Sequence, residues 1–202
     1  MEVRAPLKLA RAQIDEIVTS KERWISDKLA ISAENAKKIE TFALDYGNSI
    51  LYRGKFYPIT ASPENKAGFD GTQFYMPPNL HSDEIKHHCI QVYRTLSKQD
   101  LTEMVFRFAK IMALSPSAVK INGARTRWGS CSNKKSLNFS WRLIMASDDV
   151  IDYVVVHELA HIAEMNHSPR FWAIVARTLP DYKERQKSLK TLQRRLSGEN
   201  WA

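Results

Sequence analysis

The apolar positions of this chain change period along its length, and each change predicts an element. "MEVRAP" reads as a short strand ended by Pro6. Ile14, Ile17, Val18, Trp24, Ile25 and Leu29 then recur at helical spacing and predict a helical N-terminal segment. From Ser49 to Leu80 the β-rich runs "ILYRGKFYPIT" and "QFYMPP" are separated by "SPENKAGFDG", whose Pro, Asn and Gly mark turns; the pattern predicts a small antiparallel sheet. Ser82 is placed to cap a helix with Ile85, Cys89, Val92, Tyr93 and Leu96 on one face, and a second helix runs through Met104, Phe108, Ile111 and Met112. "SPSAVKI" closes that region and starts a strand. Between Arg125 and Met145 two strands flank the polar turn "SNKK". In the second, Leu137, Phe139, Trp141 and Leu143 alternate with Asn138, Ser140 and Arg142, which predicts a hairpin with one wet face. Ser147, Asp148 and Asp149 form a helix start; Ser168-Pro169 and Pro180-Asp181 start two more, the last ending near Gly198.

With 202 residues, 44% apolar and 26% charged, the chain suits one sizeable soluble core with a small appended subdomain. No apolar run approaches the roughly 20 residues of a membrane span, and Met1 is not followed by a signal-peptide pattern, so a cytoplasmic protein with no membrane partner is expected. Two cysteines, Cys89 and Cys131, form no disulfide framework, which fits a reducing compartment. The net charge of +8 admits nucleic acid as a partner through basic patches. In "KINGARTRWGSCSNKK", Lys120, Arg125, Arg127, Lys134 and Lys135 face no acid, although no nucleic-acid motif accompanies them.

Within the helix from Asp148 the otherwise apolar run "YVVVHELAHIAEMNHSPRFW" carries groups that cost free energy to bury. His157 and His161 lie one turn apart on one face, so both reach one metal, and Glu158 lies about 100° further round, able to touch water there without ligating. This H-E-x-x-H arrangement is that of a catalytic zinc with Glu158 as general base. Glu164 shares the face of His157, but seven residues of straight helix separate their backbones by about 10.5 Å. His167 becomes the third ligand when the chain turns between Ile162 and Asn166; Asn166, tolerant of the left-handed cap conformation, and Ser168-Pro169 offer that turn. Three imidazoles suit zinc best and would accept nickel, cobalt or iron.

The stretches "TRWGSCS", "LNFSWRLI", "IDYVVVHELAHIAEMNHSPRFW" and "LPDYKERQKSLK", with weaker agreement in "EVRAP" and "ILYRGKFYPI", resemble the YgjP-like metallopeptidases, relatives of the SprT-like zincins. The resemblance covers almost the whole chain. It implies an α+β fold: a zincin-like catalytic domain at 82–202, with a central active-site helix and a β-hairpin, and a small N-terminal helical and β-sheet subdomain at 1–81. It also implies zinc on His157, His161 and His167, a protein or peptide substrate, and a hairpin beside the active-site helix whose edge strand could take an extended peptide. Family members carry further β structure ahead of "EVRAP", so this chain is expected to lack a strand or two there. The spacing from His161 to His167 also occurs in metzincins, but those place Gly where Glu164 stands, and no Met-turn is evident.

Trp128 and Asn138 are candidates for substrate binding, and Arg127 and Tyr182 for stabilising an oxyanion. Phe171, Trp172 and Val175 read as core under the metal helix. Two other readings compete. The spacing H-x3-H-x5-H also belongs to zinc-dependent endoribonucleases, which do not require Glu158. A nucleic-acid-binding module with a structural metal would need a fourth protein ligand, for which Cys131 is the nearby candidate.

Overall fold

The computed structural model describes residues 2–201 and is a mixed helix-and-sheet fold. It divides into two compact units: the described part of Met1–Phe42 with Arg195–Asn200, and Ala43–Arg194 with Trp201. The first contains helices α1 (Arg11–Ser20) and α2 (Glu22–Thr41), separated at Lys21; neither has a buried residue. The strand expected at "EVRAP" does not form, since no described strand pairs with residues 2–6.

The second unit holds two sheets and the longest helix. Strands β1 (Ser49–Tyr52), β2 (Lys55–Ala61), β3 (Gly68–Phe69) and β4 (Phe74–Met76) form a sheet in the order β1-β2-β4-β3. It is not wholly antiparallel as the sequence pattern predicts, because β2 and β4 run parallel. Residues 62–73 carry the chain back to the starting end of β2 and lay β3 outside β4, so β4 can run in the direction of β2.

Helix α3 (Ser82–Met112) is one element where two were expected: no Gly or Pro interrupts it, and Ser97 and Leu101, either side of the expected break, are fully buried. Its N-cap position is His81, whose N–H donates to the Glu84 carboxylate at 2.8 Å, while Ser82 Oγ accepts from Leu44 N–H. The helix fastens both neighbours. Tyr93 Oη donates to Leu51 O at 2.7 Å and Ser97 Oγ to Trp141 O at 3.1 Å, both inside the core.

Strands β5 (Ala118–Asn122), β6 (Gly129–Cys131) and β7 (Ser136–Ser140) form the second sheet in the order β5-β7-β6, with β6 and β7 the expected hairpin. The alternation read along β7 stops at Ser140. That residue is buried, its hydroxyl bonding to Ala124 O, and Trp141–Met145 close into a 3₁₀ turn that buries Trp141, Leu143, Ile144 and Met145. Helices α4 (Asp148–Ala163), α5 (Pro169–Thr178) and α6 (Tyr182–Leu196) follow at the expected signals. Among the described residues no helix is long and apolar enough to cross a membrane.

The β1–β2 hairpin fixes the start of α4. Arg53 and Gly54 both have positive φ, 47° and 77°, as a two-residue turn matching the strand twist requires. Their N–H groups donate to Ile144 O and Met145 O at 2.8 and 3.3 Å, and Arg53 Nε bonds to Asp148 at 2.7 Å. A Cβ at Gly54 would lie 2.9 Å from Ser147 Cβ, whereas one at Gly47, also left-handed, would meet nothing within 4 Å. Gly47→Ala is therefore expected to cost about 1–2 kcal/mol from backbone strain alone. Gly54→Ala should cost at least about 1 kcal/mol more through overpacking. Urea unfolding of the two variants checks the difference, and equal losses would show that the Ser147 contact yields freely.

Candidate metal centre

Helix α4 is apolar on nearly every side, with Ile151, Val155, Val156, Leu159 and Ala160 fully buried, so packing rather than amphipathicity holds it. Ser147 occupies the N-cap position. Its carbonyl accepts from Val150 and Ile151, its hydroxyl makes no cap bond, and Asp148 and Asp149 supply the favourable charge at this end.

The helix ends at Ala163 with Glu164 N–H donating to Ala160 O at 3.0 Å. Glu164 is extended, with φ −143° and ψ 105°, and no residue of the turn has a positive φ, so the left-handed Asn166 expected from the sequence is not used. The reversal instead combines an extended Glu164, a Ser168 N–H to Asn166 O bond of 2.8 Å, and the start of α5, where Ser168 Oγ accepts from Phe171 N–H ahead of Pro169.

That reversal brings His167 back over α4. The ligand atoms of His157, His161 and His167 all lie within 4.8 Å of one another, a set that could hold a metal ion, and His157 Nε2 and His167 Nε2 are 3.0 Å apart. Zn–N bonds of about 2.0–2.1 Å space tetrahedral ligands by about 3.3 Å, so the rings need shift by only about an ångström. His161 Nδ1 lies 3.2 Å from Glu164 O; when it donates there, Nε2 keeps the lone pair a metal needs. His157 Nδ1 is buried and partnerless among the described residues, so the polar interactions of that ring lie on its Nε2 side. Burial first, then His161 and His167, holds the His157 pKa down to about 3, so the ring is neutral, the form that ligates. The donor set thus fits a borderline cation such as zinc.

Glu158 is only 6% exposed, and burial pushes its carboxyl up to about 7 against the opposing charge of Arg127. It rests on Gly129 of β6: a Cβ there would lie 2.6 Å from Glu158 Cγ and Oε1. Phe171, fully buried, touches all three imidazoles with ring centroids 4.6–4.9 Å apart. Trp172 stacks on His167 and on Tyr182, and Tyr153 meets His157 edge-on at 5.8 Å. These rings form the apolar wall of the centre.

The structure brings together His157, His161 and His167, with Glu158 the residue after His157 on α4. Trp128 is half-buried immediately before Gly129, its carbonyl accepting from Ser140 N–H at 2.9 Å. Asn138 pairs with Ser130 and Lys120, so it lies on the sheet face opposite the one that Gly129 and Phe139 turn to α4; its Oδ1 accepts from Asn122 Nδ2 at 3.4 Å. Arg127 is exposed, and Cys131 is not part of the histidine group. Sequence reasoning missed Gly129 and Tyr153. A glycine inside a strand pattern signals close approach of another group, and Tyr153 stands one turn before His157 on the same helix face.

Residues 1–192 match the model of the YgjP-like metallopeptidase domain, and the chain belongs to that family of metal-dependent peptidases. Two solved structures are similar to part of it. The metallopeptidase zymogen abylysin of Pyrococcus abyssi is 21% identical, with 45% of this chain and 92% of that one covered and a TM-score of 0.42. The zymogen jannalysin of Methanocaldococcus jannaschii is 18% identical over 46% and 95%, with a TM-score of 0.41. No curated protein matches the chain.

Raised from 4.5 to about 7, the Glu158 pKa makes the folded metal-free chain bind a proton more readily than the unfolded one between those values. The stability it contributes is complete below about pH 4.5 and is lost as pH rises to 7. Metal-free Glu158→Gln and the parent should therefore unfold at the same denaturant concentration near pH 4. Above pH 7 the variant should be more stable by about 3 kcal/mol, the rise from 4.5 to about 7 taken at about 1.36 kcal/mol per unit. Burial of His157 is common to both proteins and cancels; equal stability at pH 8 would mean that Glu158 is solvated.

Proposed function

We propose that the chain is a zinc-dependent peptidase in which His157, His161 and His167 hold the ion and Glu158 is the general base. The observation that carries this reading is the convergence of three imidazole nitrogens within 4.8 Å beside a buried carboxyl poised near neutrality. A zinc ion there would supply a Lewis acid that acidifies water and polarises a carbonyl. Glu158 takes the proton of the attacking water and returns it to the departing amine, work for which a pKa near the operating pH is best matched. Gly129 sets where that carboxylate stands, because any larger residue would displace it.

Strand β6 is an edge of its sheet among the described residues, so its outward side offers backbone groups to an extended peptide beside Glu158, with Trp128 flanking the approach. Asn138, on the opposite sheet face, takes no part in this reading.

Expected behaviour follows residue by residue. His167→Ala should weaken zinc binding by more than about 100-fold, since losing even an outer-shell partner costs 10–100-fold. Glu158→Gln should keep zinc and fold while kcat/KM on an unfolded protein substrate falls about 10²–10⁴-fold, the usual worth of a general base. Gly129→Ala should retain zinc and lose at least about tenfold in kcat, because its Cβ occupies the space of the carboxylate. Zinc content by elemental analysis and cleavage of unfolded protein and of structured RNA, side by side, check all three. Full activity of Glu158→Gln, or cleavage of RNA alone, would overturn the reading.

A further inference from the structure

No Asp or Glu stands between Glu103 and Asp148, while eight Lys and Arg residues do, a surplus equal to the net charge of +8 of the whole chain. The rest of the sequence is balanced. Most of this segment folds as the β5-β7-β6 sheet with its turns. Leu137 and Phe139 face the core, whereas Lys120, Asn122, Ser130 and Asn138 share the outer face. At one end of the sheet the β6–β7 turn carries Lys134 and Lys135, tied to Ser117 by bonds to their carbonyls.

At the other end two guanidiniums meet at Gly123, and a third, that of Arg125, belongs to the loop two residues on. Arg142 lies over the Trp141 ring at 4.4 Å and donates to Gly123 O at 2.9 Å and Trp201 O at 3.0 Å. Arg94 of α3 reaches the same point, since a Cβ on Gly123 would be 3.3 Å from its Nη2. Burial first, then Arg125 and Arg94, holds the Arg142 pKa down to about 10. Among the described residues none of the three has a carboxylate partner. Like charges gathered without an acid cost free energy until an anion joins them.

We propose that the outer face of this sheet, with the guanidinium corner at Gly123, binds the phosphate backbone of nucleic acid. Planar guanidiniums match phosphate oxygens in pairs, and one carboxylate would engage only one of the three. Five residues of strand span about 16 Å. A duplex presents one charge per about 1.7 Å, so the lysine turn and the arginine corner can meet phosphates of one molecule. Asn122 and Asn138 lie between them as neutral hydrogen-bonding groups. No large exposed apolar side chain lies on this sheet, which a membrane-surface site would use.

The test is fluorescence anisotropy of labelled 20-mers, single-stranded DNA, duplex DNA and single-stranded RNA, titrated with the full chain at several salt concentrations. Arg94→Gln/Arg125→Gln removes two exposed charges and leaves Arg142 with its backbone bonds. Lys183→Gln/Lys187→Gln, on the exposed side of α6, removes the same charge elsewhere. The arginine pair should weaken binding at least about tenfold near 50 mM salt and make the log K against log salt slope shallower by about 2. The lysine pair should change both little. Zinc content, retained in both variants, reports an intact fold independently of peptide cleavage. Equal weakening by the lysine pair, no binding to any of the three probes, or tighter binding to polyglutamate or to phosphatidylserine vesicles would overturn the proposal.

Discussion

The packing of the Glu158 carboxyl on Gly129 is the contact on which the geometry of the centre depends. It is the point where the most buried helix meets an edge strand with no side chain between them, and a Cβ would leave only 2.6 Å to Oε1. The close approach has two consequences. It excludes water from one side of the carboxyl, which is why burial dominates its raised pKa. It also sets the edge strand β6 beside the same carboxyl, so the two groups that the proposed reading uses as base and as peptide-pairing edge are positioned by one contact.

That contact is held from behind by the architecture around α3. Tyr93 and Ser97 send buried hydroxyl bonds to β1 and to the 3₁₀ turn, and the β1–β2 turn clamps the last residues before α4. The β1–β2 hairpin, remote in sequence from the histidines, thereby controls where α4 begins. On the far side, Phe171 closes the cluster by touching all three imidazoles. A side chain in that position must be large and apolar, because a cavity beneath three rings would let them rotate away from one another.

Much of this was legible in the chain. The helix starts at Asp148, Pro169 and Tyr182 follow from capping residues and Pro, and the pair His157 and His161 follows from the helical repeat alone. The return of His167 was legible as a need for a turn, but its mechanism was not. An extended Glu164 can be adopted by any residue and leaves no compositional mark, whereas a left-handed cap would have. The parallel pairing of β2 and β4 was hidden for a related reason: strand direction depends on the path of residues 62–73, and local alternation reads the same either way. Alternation along β7 failed at Ser140 because a polar side chain can be buried when it finds a backbone carbonyl, here Ala124 O. Asn138 was correctly read as polar-facing, yet only the register shows which face that is.

The protonation states of the centre bear on how it would take up metal. Without an ion, His157 is neutral because burial disfavours its charge, and Glu158 sits near half-protonation at pH 7 for the same reason. Burial therefore acts oppositely on the two groups: it keeps the imidazole, walled by Phe171, Trp172 and Tyr153, in its ligating form and keeps the carboxyl, packed on Gly129, from its basic form. A dication among the imidazoles reverses only the second effect, since positive charge nearby favours carboxylate while neutral imidazole is already what it needs. In the proposed reading, then, a metal-free centre holds Glu158 as a weak, partly protonated base. The same burial that makes the empty centre costly for charge makes the filled one electrostatically strong, because the field of the ion is screened least where water is absent.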